Sequence, residues 1–329
     1  MKGRKGDRNV LDVVTGGAGF IGSHLTRALL KSGRKVRVVD DLSTGTLKNL
    51  NGLETSFKGA YELIKLDIRD TEELKRVFEG AVNVYHQAAI PSVQRSIENP
   101  LRSNHVNVGG MLNVLTAGRE AGVRKVVYAS SSSVYGDSES LPKIEAMDAR
   151  PLSPYAVSKV ADELYGGTFS KIHEFPTVGL RYFNVFGPRQ NPACQYAAVI
   201  PKFVTRMLAG QPPVIYGDGE QSRDFTYVEN VVNANLLAAG SDASGVAVNV
   251  GSGERYSLNE LVGFLNEILG TAFEPLYEEP RLGDVRHSLA GIDVARAEIG
   301  YLPEIGFRDG LERTVDWLKS DTALLEAVQ

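Results

Sequence analysis

Two rhythms alternate along the first half of the chain. Short β-branched runs, "NVLDVV", "KVRVVD", "YELIKL", "AVNVYH" and "KVVYAS", read as strands. Between them, "FIGSHLTRALLKSG", "TEELKRVFEG" and "VGGMLNVLTAGREAG" carry apolar residues at helical spacing, the first stopped by Gly33. Strand and helix alternating in this way predict βαβ units and an α/β fold with a parallel sheet covered on both faces. Asp12 breaks the pattern, because a carboxylate inside a buried first strand is costly. The expectation is that it sits at the strand's exposed start.

The rhythm changes after about Gly187. Prolines and glycines crowd "GPRQNPACQ" and "GQPPVIYGDGEQ", and short strands mix with helices. This predicts a first domain over residues 1–187 and a smaller α/β substrate lobe over 188–329, placed over the carboxyl ends of the sheet. "DFTYVENVVNANLLAAG" and "VAVNVGSG" are expected to return to the first domain, roughly over 224–252, making the lobe discontinuous. No internal repeat is visible.

Composition narrows the chemistry by exclusion. At 329 residues and 43% hydrophobic content the chain can bury one or two large cores. A net charge of -4 without a long basic run argues against a nucleic-acid partner. The start, "MKGRKGDRNV", leads into no long apolar segment, so neither a signal peptide nor a membrane span is expected, and a cytoplasmic location is. Cys194 is the single cysteine, and His24, His86, His105, His173 and His287 lack ligand spacing. No internal disulfide and no metal are expected, so any cofactor is expected to be organic.

"TGGAGFIGSHL" places Gly17-x-Gly19-x-x-Gly22, and also Gly16-x-x-Gly19-x-x-Gly22, between the first strand and the first helix. Such glycines allow a tight turn, a close backbone approach to a pyrophosphate and close helix packing, and the helix N-terminus adds partial positive charge. Alone the motif is weak. Here it stands in the required strand–turn–helix context, and Asp40 follows at about the expected 20-residue interval. A carboxylate there accepts from a ribose and repels a 2′-phosphate, so NAD is expected over NADP in a Rossmann-type doubly wound sheet.

Further on, "PLSPYAVSKVADELYG" carries Tyr155-x-x-x-Lys159. On a helix this puts phenol and ammonium on one face. A free tyrosine, with a pKa of about 10, is a poor base, but a neighbouring cation favours the phenolate. The run "ASSSSVYG" could be a polar spacer. It follows the strand "VRKVVYA", however, and so ends where a Rossmann sheet meets its ligand.

The glycine turn, Asp40, the serine strand end and Tyr155/Lys159, in this order, resemble the extended short-chain dehydrogenase/reductase superfamily along almost the whole chain. The resemblance implies that Gly16, Gly19, Phe20, Ile21 and Gly22 hold the pyrophosphate. Asp40, Asp41, Ser43, Thr44 and Gly45 would hold the adenosine ribose side, and Asp67 and Ile68 in "LDIRD" the adenine. Gln87, Ala88 and Ala89 in "HQAAIPS" would line the cofactor, Asn107 matches the family's structural asparagine, and Tyr182 falls on the nicotinamide side. Ser131, Tyr155 and Lys159 would be catalytic.

What precedes "VYG" divides that superfamily. Members that eliminate water or carbon dioxide resemble one another in having acids there, whereas this chain has Ser131, Ser132 and Ser133. A site that oxidises a hydroxyl and can do nothing further to the ketone returns the hydride from the other face. The chain therefore resembles UDP-sugar 4-epimerases. That implies a UDP-sugar substrate contacted by Ser92, Asn184, Gln190, Ala198, Val199, Val214, Tyr216, Arg223, Arg281, Asp284 and Ser288, besides the serines and Tyr155. Ser288 falls where epimerases of plain hexoses have tyrosine. A small residue leaves room for an N-acetyl group, which makes the UDP-N-acetylglucosamine 4-epimerases the nearest subgroup. UDP-glucose and UDP-glucuronate 4-epimerases remain alternatives, and the bland reading of Ser288 is a loop serine. A redox-sensing NAD-binding regulator of the same fold would be expected to lose the tyrosine, which is present. Helices around Asn107–Gly118 and Tyr155–Lys171 resemble those that pair into a homodimer in the family.

Overall fold

The computed structural model describes residues 10–192, 198–280 and 285–321. The first half supplies β1 (Leu11–Thr15), β2 (Lys35–Asp40), β3 (Tyr61–Lys65), β4 (Ala81–His86), β5 (Lys125–Ser131) and β6 (Thr177–Tyr182). The second half adds β7 (Asn184–Phe186), β8 (Val214–Tyr216), β9 (Ser222–Arg223), β10 (Phe225–Tyr227) and β11 (Val246–Val250). β11 joins the first six in a seven-stranded parallel sheet with spatial order β11, β6, β5, β4, β1, β2, β3. Strand order reverses between β1 and β4. At such a switch point the crossovers diverge and leave a crevice outside the carboxyl ends of the strands.

Both faces are covered, as the apolar runs require. Val14, Val38, Val127 and Leu180 point to one side, where they meet Leu25 and Leu29 of the helix Phe20–Lys31. Val13, Val39, Val84 and Val126 point to the other, against Leu74, Phe78, Met111 and Leu115. Neighbours in one strand thus serve opposite cores, the period of two that a pleated strand imposes. Each such side chain contributes about 1.5–3 kcal/mol through burial.

The second core gathers Phe186, Ile200, Phe203, Ile215, Phe225, Leu261, Phe307 and Leu311. Phe307 stacks between Tyr256 and Phe225, with centroids at 4.4 and 5.3 Å. β7 and β10 pair in parallel and lead the chain out of the main sheet and back toward it. The fully buried Asp224 then gathers the returning segments. It accepts the backbone N–H groups of Ser252 (2.7 Å), Gly253 (3.1 Å) and Ala290 (3.0 Å).

Asp12 differs from expectation. It lies inside β1, fully buried between β2 and β4. Arg34 Nη1 donates to one carboxylate oxygen at 2.6 Å and Asn83 Nδ2 to the other at 2.8 Å. Burial raises its pKa, and Arg34 opposes that rise. The sequence contains both partners, but only pairing of β1 with its neighbours brings them to the carboxylate. Asp12→Ala removes the acceptor that the part-buried Arg34 and the buried Asn83 share and should lower stability by about 1–3 kcal/mol in urea denaturation. The Asp12→Ala/Arg34→Ala pair should cost less than the two single changes summed. A loss under about 1 kcal/mol for Asp12→Ala would remove the pair from any account of stability.

Candidate active site

Between β1 and the helix Phe20–Lys31 the chain turns at Gly16, whose φ of 70° favours glycine. A Cβ there would lie 2.6 Å from the Ala88 backbone nitrogen, and one at Gly22 would lie 2.2 Å from Gly16 O. The turn therefore tolerates no side chains at these two points. The helix begins at Gly19 without a side-chain cap, so its first N–H groups keep their capacity for a ligand. Phe20, Ile21 and Gly22 line a cleft of about 550 Å³ at the carboxyl edge of the sheet.

Asp40 ends β2 and is only 7% exposed. Its oxygens accept from Ala18 N and Leu42 N, both at 2.9 Å. Burial raises its pKa, while these two backbone bonds favour the ionised form. A carboxylate has about four lone-pair sites, so both oxygens can still accept from a ligand. Asp41, Ser43 and Thr44 continue the same wall. Asp67, held below the usual carboxylate range by Arg69, and Ile68 stand after β3. Gly45 is packed against Asp40 and Ala18, outside the cleft lining. A capless helix N-terminus, a glycine turn with no room for Cβ atoms and a buried acid at the end of β2 together fit the pyrophosphate and ribose of a dinucleotide.

Tyr155 and Lys159 owe their placement to the start of the helix Pro154–His173. Ser153 caps it, accepting from Ala156 N at 3.1 Å, and Pro154 occupies the first turn. Tyr155 N donates to Ser96 Oγ (3.0 Å). Lys159 is 2% exposed and donates to Ala129 O (2.9 Å) and Asp162 Oδ2 (3.1 Å). Asn107, in a π-helical turn, accepts from Ile90 N (2.8 Å) and donates to Ser158 Oγ (3.0 Å). It clamps the loop after β4 to this helix and does not itself line the cleft.

Ser131 and Ser132, at the end of β5, line the cleft together with Tyr155, Lys159 and Tyr182. Ser131 Oγ accepts from Ser133 N (3.1 Å), so the hydroxyl is fixed by a turn and its proton is left for a ligand. Ser133 is placed differently. It stands outside the cleft lining, with a buried Oγ that has no partner. Ser130 does line the cleft and bonds Glu163 beneath it. Tyr182 is held by Gln87 and Asn235, with Asn235 Nδ2 donating to its hydroxyl at 2.9 Å. Burial raises the phenol's pKa. His86, pushed down to about 3 by burial, is neutral and bonds Thr15.

Gln87, Ala88, Ala89, Ser92, Asn184, Gln190 and Ala198 also line the cleft. Gln190 donates to Val185 O (3.1 Å) and keeps a buried Oε1 without a partner. Ser288 is 9% exposed and outside the lining, but its hydroxyl donates to Asn184 Oδ1 at 3.2 Å. Val199 starts the helix Val199–Leu208, and Val214 starts β8. Tyr216 lines a second cleft of about 980 Å³ with Gln221 and Tyr277. Arg223 Nη1 donates to Ser222 O and Arg286 O. Arg281, Asp284 and Cys194 lie outside the described residues. The sequence reading missed Asn235, Ser158 and Asp162. Only Asp162 left a signal, an acid three residues after Lys159 and so on the same helical face.

Among the described residues, the carboxylates lining the first cleft are Asp40, Asp41 and Asp67, at or just past the carboxyl ends of β2 and β3. None lines the serine end. No helix of the described residues is long and apolar enough to cross a membrane, and no cluster of three metal-ligating side chains occurs among them.

This is the architecture of a Rossmann-type, dinucleotide-dependent enzyme, and residues 13–251 match the NAD dependent epimerase/dehydratase family. The chain belongs to that family and shares its cofactor, NAD. It is 39% identical over 311 residues to the UDP-glucose 4-epimerase of Mycolicibacterium smegmatis, covering 94% of this chain and 98% of that one. To the UDP-glucuronate 4-epimerase of Thermodesulfobacterium geofontis it is 34% identical over 329 residues, covering 96% and 98%. The solved structure of a UDP-N-acetylglucosamine 4-epimerase from Methanobrevibacter ruminantium M1, in complex with UDP-N-acetylmuramic acid, superposes with a TM-score of 0.91. It is 41% identical and covers 95% of this chain and 99% of that one.

Proposed function

We propose that this protein is a UDP-sugar 4-epimerase that interconverts UDP-N-acetylglucosamine and UDP-N-acetylgalactosamine through a transient 4-keto sugar. One observation carries the reading. Ser131, Tyr155 and Lys159 line the same cleft as the glycine turn, and no carboxylate lines that end among the described residues. Without an acid or base to break a second bond, the ketone has one productive outcome, reduction from its other face.

Bound NAD supplies a reversible hydride acceptor. Tyr155 takes the proton of the sugar 4′-hydroxyl, and Ser131 donates to the 4′-oxygen and steadies the developing carbonyl. Lys159 would hold the nicotinamide ribose through the ammonium proton left for the cleft. After the sugar has swung about its link to the diphosphate, Tyr155 returns the proton to the 4′-oxygen. Firm contacts to the nucleotide and loose ones to the sugar make this turn possible. Asn184 and Arg223, with Arg281 and Asp284, are assigned to the firm set.

Preference for the acetylated sugar rests on Ser288 and on the likeness to the M. ruminantium enzyme. Ser288 is small, and its hydroxyl steadies Asn184, which lines the cleft. UDP-glucose and UDP-glucuronate are the competing substrates, in keeping with the other two relatives.

A homodimer is also proposed. Val157, Leu164, Tyr165 and Ile172 are exposed along one stripe of the helix Pro154–His173, and Leu101 nearby is 83% exposed. None of the exposed large apolar side chains among the described residues falls in 107–118. The proposed face is therefore centred on Pro154–His173 and the short helices before Asn104.

Purified protein incubated without added NAD should convert UDP-N-acetylglucosamine to its 4-epimer, read by chromatographic separation. Conversion of UDP-glucuronate alone would transfer the assignment to that substrate. Tyr155→Phe should reduce turnover by about 10²–10⁴-fold with NAD still bound, and near-normal turnover would sink the mechanism. Ser288→Tyr should lose the acetylated sugar and spare the plain hexose, whereas equal loss of both would refute the gate. Leu164→Glu should yield monomers in light scattering, and an unchanged dimer would place the interface elsewhere.

A further inference from the structure

Lys159 has three ammonium protons and few places to send them. One goes to Ala129 O at the end of β5 and one to Asp162 Oδ2. Lys159 nevertheless lines the cleft, so the third proton remains for whatever binds there. Asp162 stands behind it, outside the cleft lining, with a side chain 1% exposed. Its second oxygen, Oδ1, is buried without a partner. An orphaned buried carboxylate oxygen is costly, and apolar residues often replace buried ion pairs without loss of stability. Packing alone therefore gives no reason for an acid at this position.

Of the neighbouring charges, Asp162 acts most strongly on Lys159, and Tyr155 and Glu163 act more weakly. Glu163, on the same helix, is engaged by Arg181 of β6 (2.7 and 2.9 Å) and by Ser130. His86 of β4 is neutral, and the buried Tyr128 phenol of β5 is held well above its ordinary range. Tyr155 faces Lys159 from the cleft side.

We infer that Asp162 is a positioning residue. With Ala129 O it aims the third N–H of Lys159 into the cleft and keeps that buried ammonium protonated. Burial pushes the Lys159 pKa down, but the Asp162 carboxylate, aided by Tyr155, outweighs it and the net shift is upward. Without the carboxylate the largest upward pull is lost, and burial moves the pKa of the amine down. Asp162 itself is raised to about 6 by burial against the pull of Lys159, so the ion pair is present at neutral pH and above.

The activity arm of the test rests on the epimerase reading, and the NAD arm does not. The near-isosteric Asp162→Asn protein should lose its kcat at alkaline pH at least one pH unit earlier than wild type. It should also retain NAD on dialysis at about pH 7 but lose at least half of it at about pH 9.5, where wild type keeps it. Glu163→Gln leaves the Lys159–Asp162 pair intact and removes only a weaker charge on Lys159, so it should shift both readouts far less than Asp162→Asn. Superposable profiles for Asp162→Asn and wild type, or NAD loss equal at both pH values, overturn the proposal. If Asp162→Asn does not fold, the wild-type profile decides: it must stay level to about pH 10, and an earlier fall overturns the proposal. A wild type that converts no UDP-sugar removes the epimerase reading and leaves the NAD arm to judge Asp162.

Discussion

The bond from Lys159 Nζ to Ala129 O ties the helix Pro154–His173 to β5 where that strand runs out into Ser131. Two elements distant in sequence thereby meet at one edge of the sheet. The bond forms because a buried ammonium must find acceptors. Ala129 O and Asp162 are those that this packing offers. Once made, it sets how far the first turn of the helix, and with it Tyr155, stands from the serine end.

Below that edge lies a second tier of polar contacts. Arg181 of β6 holds Glu163 and donates to the Tyr135 hydroxyl (2.8 Å), which in turn donates to Asn249 of β11 (2.7 Å). Gln87, Tyr182 and Asn235 form a similar set beside the cleft. Buried polar groups that satisfy one another specify a single arrangement, because slipping any element leaves several groups unpaired at once. The cleft can therefore keep its own hydroxyls and ammonium free for ligands while the layer beneath stays rigid.

The distribution of charge divides the cleft by chemistry. Carboxylates stand at the β2 and β3 end, where a ribose offers hydroxyl donors, and uncharged serines stand at the β5 end. The uncharged end limits what can follow oxidation of a sugar. Outside the cleft, Ser288 steadies Asn184 through one hydrogen bond, so the segment from 285 onward shapes the site from behind.

Local pattern by itself determined much of this. The order of strands and helices, the glycine turn, Asp40 after β2 and the Tyr155/Lys159 face all follow from rules acting over a few residues. Those rules say nothing of partners 20 or 70 residues away. Asp12 looked like an exposed strand start, yet Arg34 and Asn83 make it a buried pair. Four consecutive serines are chemically identical in the sequence. At the end of β5, Ser131 and Ser132 line the cleft, Ser130 lines it but gives its hydroxyl to Glu163 beneath, and Ser133 stands outside the lining. Asn235, in an apolar helix, becomes a clamp on Tyr182 only because β6 and that helix pack together. Side-chain periodicity is written along the chain, whereas the partners of buried polar groups are set by which elements become neighbours, and only the folded molecule decides that.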